Sequence, residues 1–284
     1  MGLSILGLAW RSLMNRRGSA LLTILAVALS VSLFLGVDKV RNGARAGFEN
    51  TISGTDLIVG APTGQINLLL YSVFRLGSAT AEISWDTYQS IADRDDVAWT
   101  VPISLGDSHR GFRVVGTNDS YFEHYRHGDG TKLRLAEGKL FTDIYEAVLG
   151  ADVARELGYE VGSEVVLTHG LGAGGLTDHE NRPFVVSGIL APTGTPVDRS
   201  IHVSLEGITA IHVGWESGTR SPFADTISEE MIRGFDLTPK SVTAVFVGLE
   251  RRGTLLRTQR ALNTQSGEPL LAIIPGMALG ELWQ

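Results

Sequence analysis

The chain has 284 residues, 43% of them hydrophobic and 19% charged, with a net charge of −7 and no cysteine. That length can bury a sizeable core in one or two domains. An acidic chain without a basic patch is a poor nucleic-acid binder, and the missing thiols exclude disulfides, cysteine nucleophiles and thiolate metal sites.

Residues 2–17 place Leu3, Leu6, Trp10, Leu13 and Met14 at spacings near three and four, with Arg11, Asn15, Arg16 and Arg17 as the polar part. This predicts a short amphipathic helix lying on a membrane surface, the flank 1–19. Residues 20–37, ALLTILAVALSVSLFLGV, carry no charge and include only Thr23, Ser30 and Ser32 as polar side chains. As a helix the run spans about 27 Å, close to the thickness of a hydrocarbon core. A cleaved signal peptide has a shorter apolar region and a small-residue cleavage site; a soluble core helix carries a polar stripe. The run fits a transmembrane helix better than either. Arg11, Arg16 and Arg17 before it balance Lys39, Arg41 and Arg45 after it. Long domains translocate regardless of charge, and Arg16 and Arg17 abut the span, so the N-terminus reads as cytoplasmic and residues 38 onward as outside.

Residues 38–52 predict a polar continuation of the helix, a stalk closed by Ser53 and Gly54 (segment 38–54). A short strand follows at 56–59, then an apolar helix at 66–74, buried or at an interface. Ser84 caps a helix over 84–92. Residues 97–105 predict a strand in which Pro102 marks an edge or a bulge. Beyond 106 the texture changes to short strands and turns: strands at 111–116, 146–150, 164–169, 184–191 and 200–204, helical turns at 120–125 and 151–157, and a stop at Gly158. A helix is predicted over 206–215, a long loop over 216–240, a strand at 241–249, a helix at 252–264 and a strand at 270–274 closed by Pro275 and Gly276. From Ala278 the chain reads as the first turns of another helix, so 276–284 is expected to begin a second stalk or membrane helix, truncated at Gln284.

Chemistry is sparse. A P-loop needs G-x-x-x-x-G-K-[ST]; the Gly138–Lys139 pair lacks the upstream glycine and the hydroxyl residue. There is no G-x-S-x-G elbow and no H-E-x-x-H. His169 and His179 flank the glycine loop 171–175, with Asp178 adjacent. Two imidazoles and a carboxylate suit zinc, but the spacing matches no standard site, and ordinary loop histidines are the better reading. His124 and His127 read as a solvated pair, and Asp93, Asp95 and Asp96 as a solvated face. The expectation is no catalytic, cofactor-binding or metal-binding residue, no cofactor, and no enzyme.

Several stretches taken together resemble one family. They are 9–18 (AWRSLMNRRG), 54–61 (GTDLIVGA), 104–116 (SLGDSHRGFRVVG), 145–150 (YEAVLG), 188–194 (GILAPTG) and 274–283 (IPGMALGELW). The chain resembles the permease subunits of MacB/FtsX-type ABC transporters, the mechanotransmission group. The resemblance implies an α+β fold: one N-terminal transmembrane helix, then a two-lobed periplasmic core domain. A mixed α/β lobe, 55–102 and 205–275, is split by an inserted β-rich lobe, 103–204, with 101–115 and 188–202 as strands of the insert. It also implies three further membrane helices, which this sequence does not contain. The expected partners are a separate ABC ATPase gripped through those helices, a second permease copy, membrane lipid and a periplasmic partner, with no nucleic acid. The expected place is the bacterial inner membrane, with a single span here and the bulk of the chain periplasmic. The expected function is to transmit ATP-driven motion for export or lipoprotein and envelope handling. The alternatives are a single-pass anchored binding or adaptor module, complete as it stands, and an anchored hydrolase using the histidine loop.

Overall fold

The computed structural model describes residues 2–49, 51–169, 182–214 and 227–282. The chain divides into two compact units, Met1–Gly47 and Phe48–Gln284.

In the first unit, helix α1 (Gly2–Asn15) gives way at Arg16 to helix α2 (Arg17–Glu49). The 33 residues of α2 make a rod of about 50 Å. Its stretch Arg17–Gly43 is long and apolar enough to cross a membrane. The hydroxyls of Thr23 and Ser30 donate back to the carbonyls of Ser19 and Ala26, each at 2.9 Å. Both groups are thereby satisfied within the helix, which is why they interrupt the apolar run so cheaply. Where the run ends, Asn42 donates to the Asp38 carboxylate one turn back at 3.0 Å, a pairing that suits a water-facing helix.

The second unit is built on sheet. Its strands are β1 (Leu57–Gly60), β2 (Ile83–Ser84), β3 (Val97–His109), β4 (Phe112–Thr117), β5 (Arg126–His127), β6 (Thr131–Lys132), β7 (Leu135–Gly138), β8 (Glu146–Leu149), β9 (Glu164–Val165), β10 (Thr168–His169), β11 (Phe184–Leu190), β12 (Ser200–Ser204), β13 (Ser241–Val242), β14 (Ala244–Leu249) and β15 (Leu271–Ile273). Its helices are α3 (Gln65–Ser72), α4 (Trp85–Ala92), α5 (Asp119–His124), α6 (Ala151–Leu157), α7 (Leu205–His212), α8 (Glu229–Ile232), α9 (Leu255–Asn263) and α10 (Pro275–Leu282). The main sheet runs β15-β1-β14-β3-β4-β12-β8-β11-β7, with β10 beside β3 and β9 beside β11.

One long strand holds this order together. The first half of β3 pairs antiparallel with β14, from Val97 opposite Leu249 to Ile103 opposite Ala244. Its second half pairs with β4, from Ser104 opposite Gly116 to His109 opposite Phe112. The β3–β4 hairpin turns through Arg110 (φ 48°) and Gly111 (φ 86°). Two central residues with positive φ match the twist of the flanking strands. Pro102 sits in the half that β14 covers on one side. Beyond it, side chains replace a neighbouring strand: Thr117 donates to the Pro102 carbonyl and Ser120 to the Thr100 carbonyl, both at 2.8 Å. The proline is thus tolerated as an edge residue should be.

Period-two alternation sorts the side chains into three cores. Ile58, Phe246, Val115 and Val148 share one core, common to both parts of the sheet. Their neighbours on the other face go to separate cores. Leu57, Val59, Val245 and Val247 pack with Ile91 of α4 and Leu262 of α9. Phe112, Val114, Ala147, Leu149, Ile201 and Val203 pack with Val153 of α6 and Phe184.

The local signals read in the sequence appear as expected in several places. Ser84 caps α4, its hydroxyl accepting from the Thr87 amide, and Gly158 ends α6 in the left-handed conformation at φ 67°. Other expectations need correction. The strand expected over 164–169 is two short pieces, β9 and β10, because the intervening Val166 carbonyl bonds His109 Nδ1 at 2.6 Å. The strand over 241–249 breaks at Thr243, whose hydroxyl accepts from the Leu105 amide at 2.9 Å. The loop over 216–240 contains α8, capped by Ser228; residues 216–226 lie outside the described ones. Pro275 does not close a strand into a loop but opens α10, the first-turn position that suits its missing N–H.

Candidate functional site

A cleft of about 690 Å³ in the second unit lies between β3, β4, α7 and the segment 235–241. Its existence starts from the β3–β4 ladder. The register slips between Leu105 and Ser108, so Gly106 and Asp107 leave the regular pairing, and a bulge of this kind bends a strand and opens its surface. Helix α7 forms one wall. It begins where the Ser204 hydroxyl accepts the Gly207 amide at 3.0 Å. It seats against β4 at Gly116, where an added Cβ would lie 2.8 Å from Ile208 Cγ1, so only glycine permits this approach. Leu105, Val114 and Ile208 give the cleft an apolar floor, and Glu82, Asp236 and Lys240 a charged rim. The Thr238 hydroxyl and amide hold the Asp236 carboxyl below its ordinary range, so it stands as an anion on the rim. An apolar floor with a charged rim has the make-up of a binding surface.

The residues singled out from sequence are scattered. His169 lies in β10, while Asp178 and His179 fall outside the described residues. Among the described residues no group of three histidine, aspartate or glutamate side chains could hold a metal ion. His124 is not simply solvated: its ring stacks on Trp99, centroids 4.7 Å apart and 8° from parallel. His127 lies in the two-stranded β5–β6 ribbon. Of the acidic trio, Asp93 and Asp95 are exposed, but Asp96 is not part of a solvated face. Arg94 grips it with two bonds of 2.9 and 3.0 Å, and Thr258 of α9 donates to it at 2.7 Å. The Arg94 bonds hold its carboxyl below the usual range, and burial opposes them. The apolar run at 68–74 is buried in the shared core, which settles it as a packed helix rather than an exposed patch.

Sequence reading missed the polar groups inside the core. His202 is fully buried between the rings of Tyr121 and Phe122, with centroids at 5.1 and 5.9 Å. Its Nδ1 lies 3.2 Å from the Val148 carbonyl, and its Nε2 has no hydrogen-bond partner among the described residues. Burial pushes its pKa down to about 3, and the Arg75 charge adds to the effect. The neutral ring is therefore the native form. Its place was implicit in the sequence: if Ile201 and Val203 face one core, alternation turns residue 202 to the other. His109 is buried too, bridging the Val166 carbonyl and the Tyr159 hydroxyl, the latter at 2.9 Å. Arg182 donates to the carbonyls of Ala210, Ile211 and Val213 at 3.0, 3.2 and 2.9 Å, closing the C-terminal end of α7.

Comparison with known proteins places this architecture. No curated protein matches the chain. Among solved structures, it is similar to the periplasmic region of MacB from Actinobacillus actinomycetemcomitans, with 12% identity, 82% of this chain and 94% of that one covered, and a TM-score of 0.47. It is also similar to the extracellular domain of the noncanonic ABC-type transporter YknZ from Gram-positive bacteria, with 15% identity, 77% and 99% covered, and a TM-score of 0.43. The family model of the MacB-like periplasmic core domain matches residues 20–246, most of the chain. On that match, the chain belongs to the MacB-like periplasmic core domain family of MacB/FtsX-type ABC transporter permeases.

Proposed function

We propose that this chain is a non-enzymatic moving part of a permease in the bacterial inner membrane. It carries ATP-driven motion of a separate ATPase to the periplasmic side, for export or for handling lipoproteins and the envelope. The observation that carries this reading is α2, unbroken from the apolar stretch into its polar continuation. A continuous helix with no proline or bulge resists bending and suits a part that relays displacement. In this reading residues 38–54 serve as the stalk and 276–284 begin a second one. The two lobes, 55–102 with 205–275 and 103–204, move against those of a second permease copy. The boundary between them falls within β3, where its partner changes from β14 to β4.

The test uses the absence of cysteine, which lets an introduced pair report without background. Ser90→Cys and Glu156→Cys are placed in the chain expressed from its own locus, spin-labelled and measured in native membranes. With the further membrane helices supplied alongside, an ABC ATPase and a second copy are expected to co-isolate, and the label distances within and between copies to shift on adding ATP. Unchanged distances with the ATPase present overturn the relay. Isolation with no ATPase at all favours the anchored binding module, for which the 690 Å³ cleft would be the place to look.

A further inference from the structure

A second cleft, about 250 Å³, lies where the chain leaves α3 and passes under the β3–β4 hairpin. Two guanidinium side chains line it: Arg75, just beyond α3, and Arg113, in β4. The rest of the wall comes from Tyr71, the small residues Gly77, Ser78 and Ala79, and the bulge at Leu105 and Gly106, with no carboxylate among them. Arg75 is only 9% exposed. One of its terminal nitrogens donates to the Ser72 carbonyl, and its Nε has no hydrogen-bond partner among the described residues. Arg113 Nη2 donates to the Gly77 carbonyl at 2.5 Å. Among the described residues neither arginine is paired with an acidic side chain. Burial, and the Arg75 charge after it, push the Arg113 pKa down, so the two cations feel each other's charge.

A buried charge without a counter-charge is strongly unfavourable. Arg75 is such a charge, and Arg113, partly buried beside it, faces the same space; together they favour an anion there. Arg75 also adopts a left-handed backbone, φ 60°, which costs a residue with a Cβ. Guanidinium forks match the oxygens of a phosphate with paired, charge-assisted hydrogen bonds. The volume is below that of a pocket for a drug-sized molecule, so it suits a compact anionic group.

We infer that this cleft is a binding site for a phosphate group, held between Arg75 and Arg113. Two sources have that chemistry, a soluble phosphate and the phosphodiester headgroup of a phospholipid. The inference does not depend on the relay function.

The experiment is calorimetric titration of the full chain in an uncharged detergent at fixed ionic strength, with inorganic phosphate and with glycerophosphoglycerol as probes. Saturable binding of at least one probe is expected. Arg113→Gln should weaken it about tenfold or more, as for the loss of a charge-assisted pair. Arg75→Lys keeps the buried charge but loses the fork, and should weaken binding with little change in melting temperature. Tighter binding of the diester identifies the lipid headgroup as the source; tighter binding of inorganic phosphate identifies the soluble one. Three results overturn the inference: no saturable binding of either probe to the folded wild type, affinities unchanged in both variants, or acetate binding as tightly as phosphate.

Discussion

Leu29 and Phe34 of α2 are 70% and 71% exposed, while Leu57, Ile58 and Val59 of β1 are at 0%. The residue types are alike and their surroundings opposite. Apolar area in water costs roughly 25 cal/mol per Å², so a helix covered with aliphatic side chains over Arg17–Gly43 needs a solvent other than water. In the cores of the domain, each buried aliphatic chain is removed from water by specific neighbours. In α2, the same requirement is met by matching the thickness of a hydrocarbon layer. The first arrangement depends on shape and register; the second depends only on length and on the absence of charge.

The widest break in this comparison comes from adding charge to α2. Leu25→Arg together with Leu29→Arg puts two cations on one helix face near mid-span. Each costs about 2.5–3.5 kcal/mol on insertion scales, and the chain is expected to leave the carbonate-resistant membrane fraction. An unaltered chain that carbonate already extracts would mean that α2 does not cross the bilayer.

Truncation sharpens the contrast next. Phe246→Ala empties a site in the shared core, where Phe246 is 1% exposed, and should cost about 3–5 kcal/mol, read as a lower urea midpoint for the domain. Leu33→Ala, on the exposed surface of α2, should leave that midpoint within about 0.5 kcal/mol. Equal effects would erase the distinction between the two regions.

Acid gives the most graded effect, small at each step of pH. The pKa of His202 falls from 6.5 to about 3 on folding, so the unfolded chain binds a proton that the native one refuses. Stability is therefore full above pH 6.5 and falls as the pH drops toward 3, by up to about 1.4 kcal/mol per pH unit. His109, also lowered by burial, adds to the same slope, and carboxylates such as Asp96 add theirs below about pH 4. His202→Phe should remove one proton's share of the slope, measured as melting temperature against pH. An unchanged slope would mean that His202 is not buried in its neutral form.

Local structure was legible wherever one residue decides it. Ser84 starts a helix because its hydroxyl meets an amide within the next turn, Gly158 ends one because it can take a positive φ, and the charge-free run at 20–37 reads by length alone. Pieces that depend on distant partners were not legible. The short polar strands at 126–127, 131–132 and 135–138 carry no apolar alternation, so nothing local distinguishes them from loop. The breaks at Thr243 and Val166 are made by side-chain bonds to Leu105 and His109, far off in sequence. The paired arginines were invisible for the same reason: no local pattern tells that Arg75 and Arg113 face one cleft. The family resemblance supplied the general architecture that local rules could not.

The shared strand β3 has a mechanical consequence. It is bonded to β14 along its first half and to β4 along its second, and its ends point in opposite directions from the exchange of partners. A pull along its axis loads the bonds of each ladder sideways and together, in shear, rather than peeling them open one after another. Because the same backbone passes from one ladder to the other with no intervening loop, there is little slack to take up. A displacement at one end of β3 reaches its other end as tension in a single covalent chain.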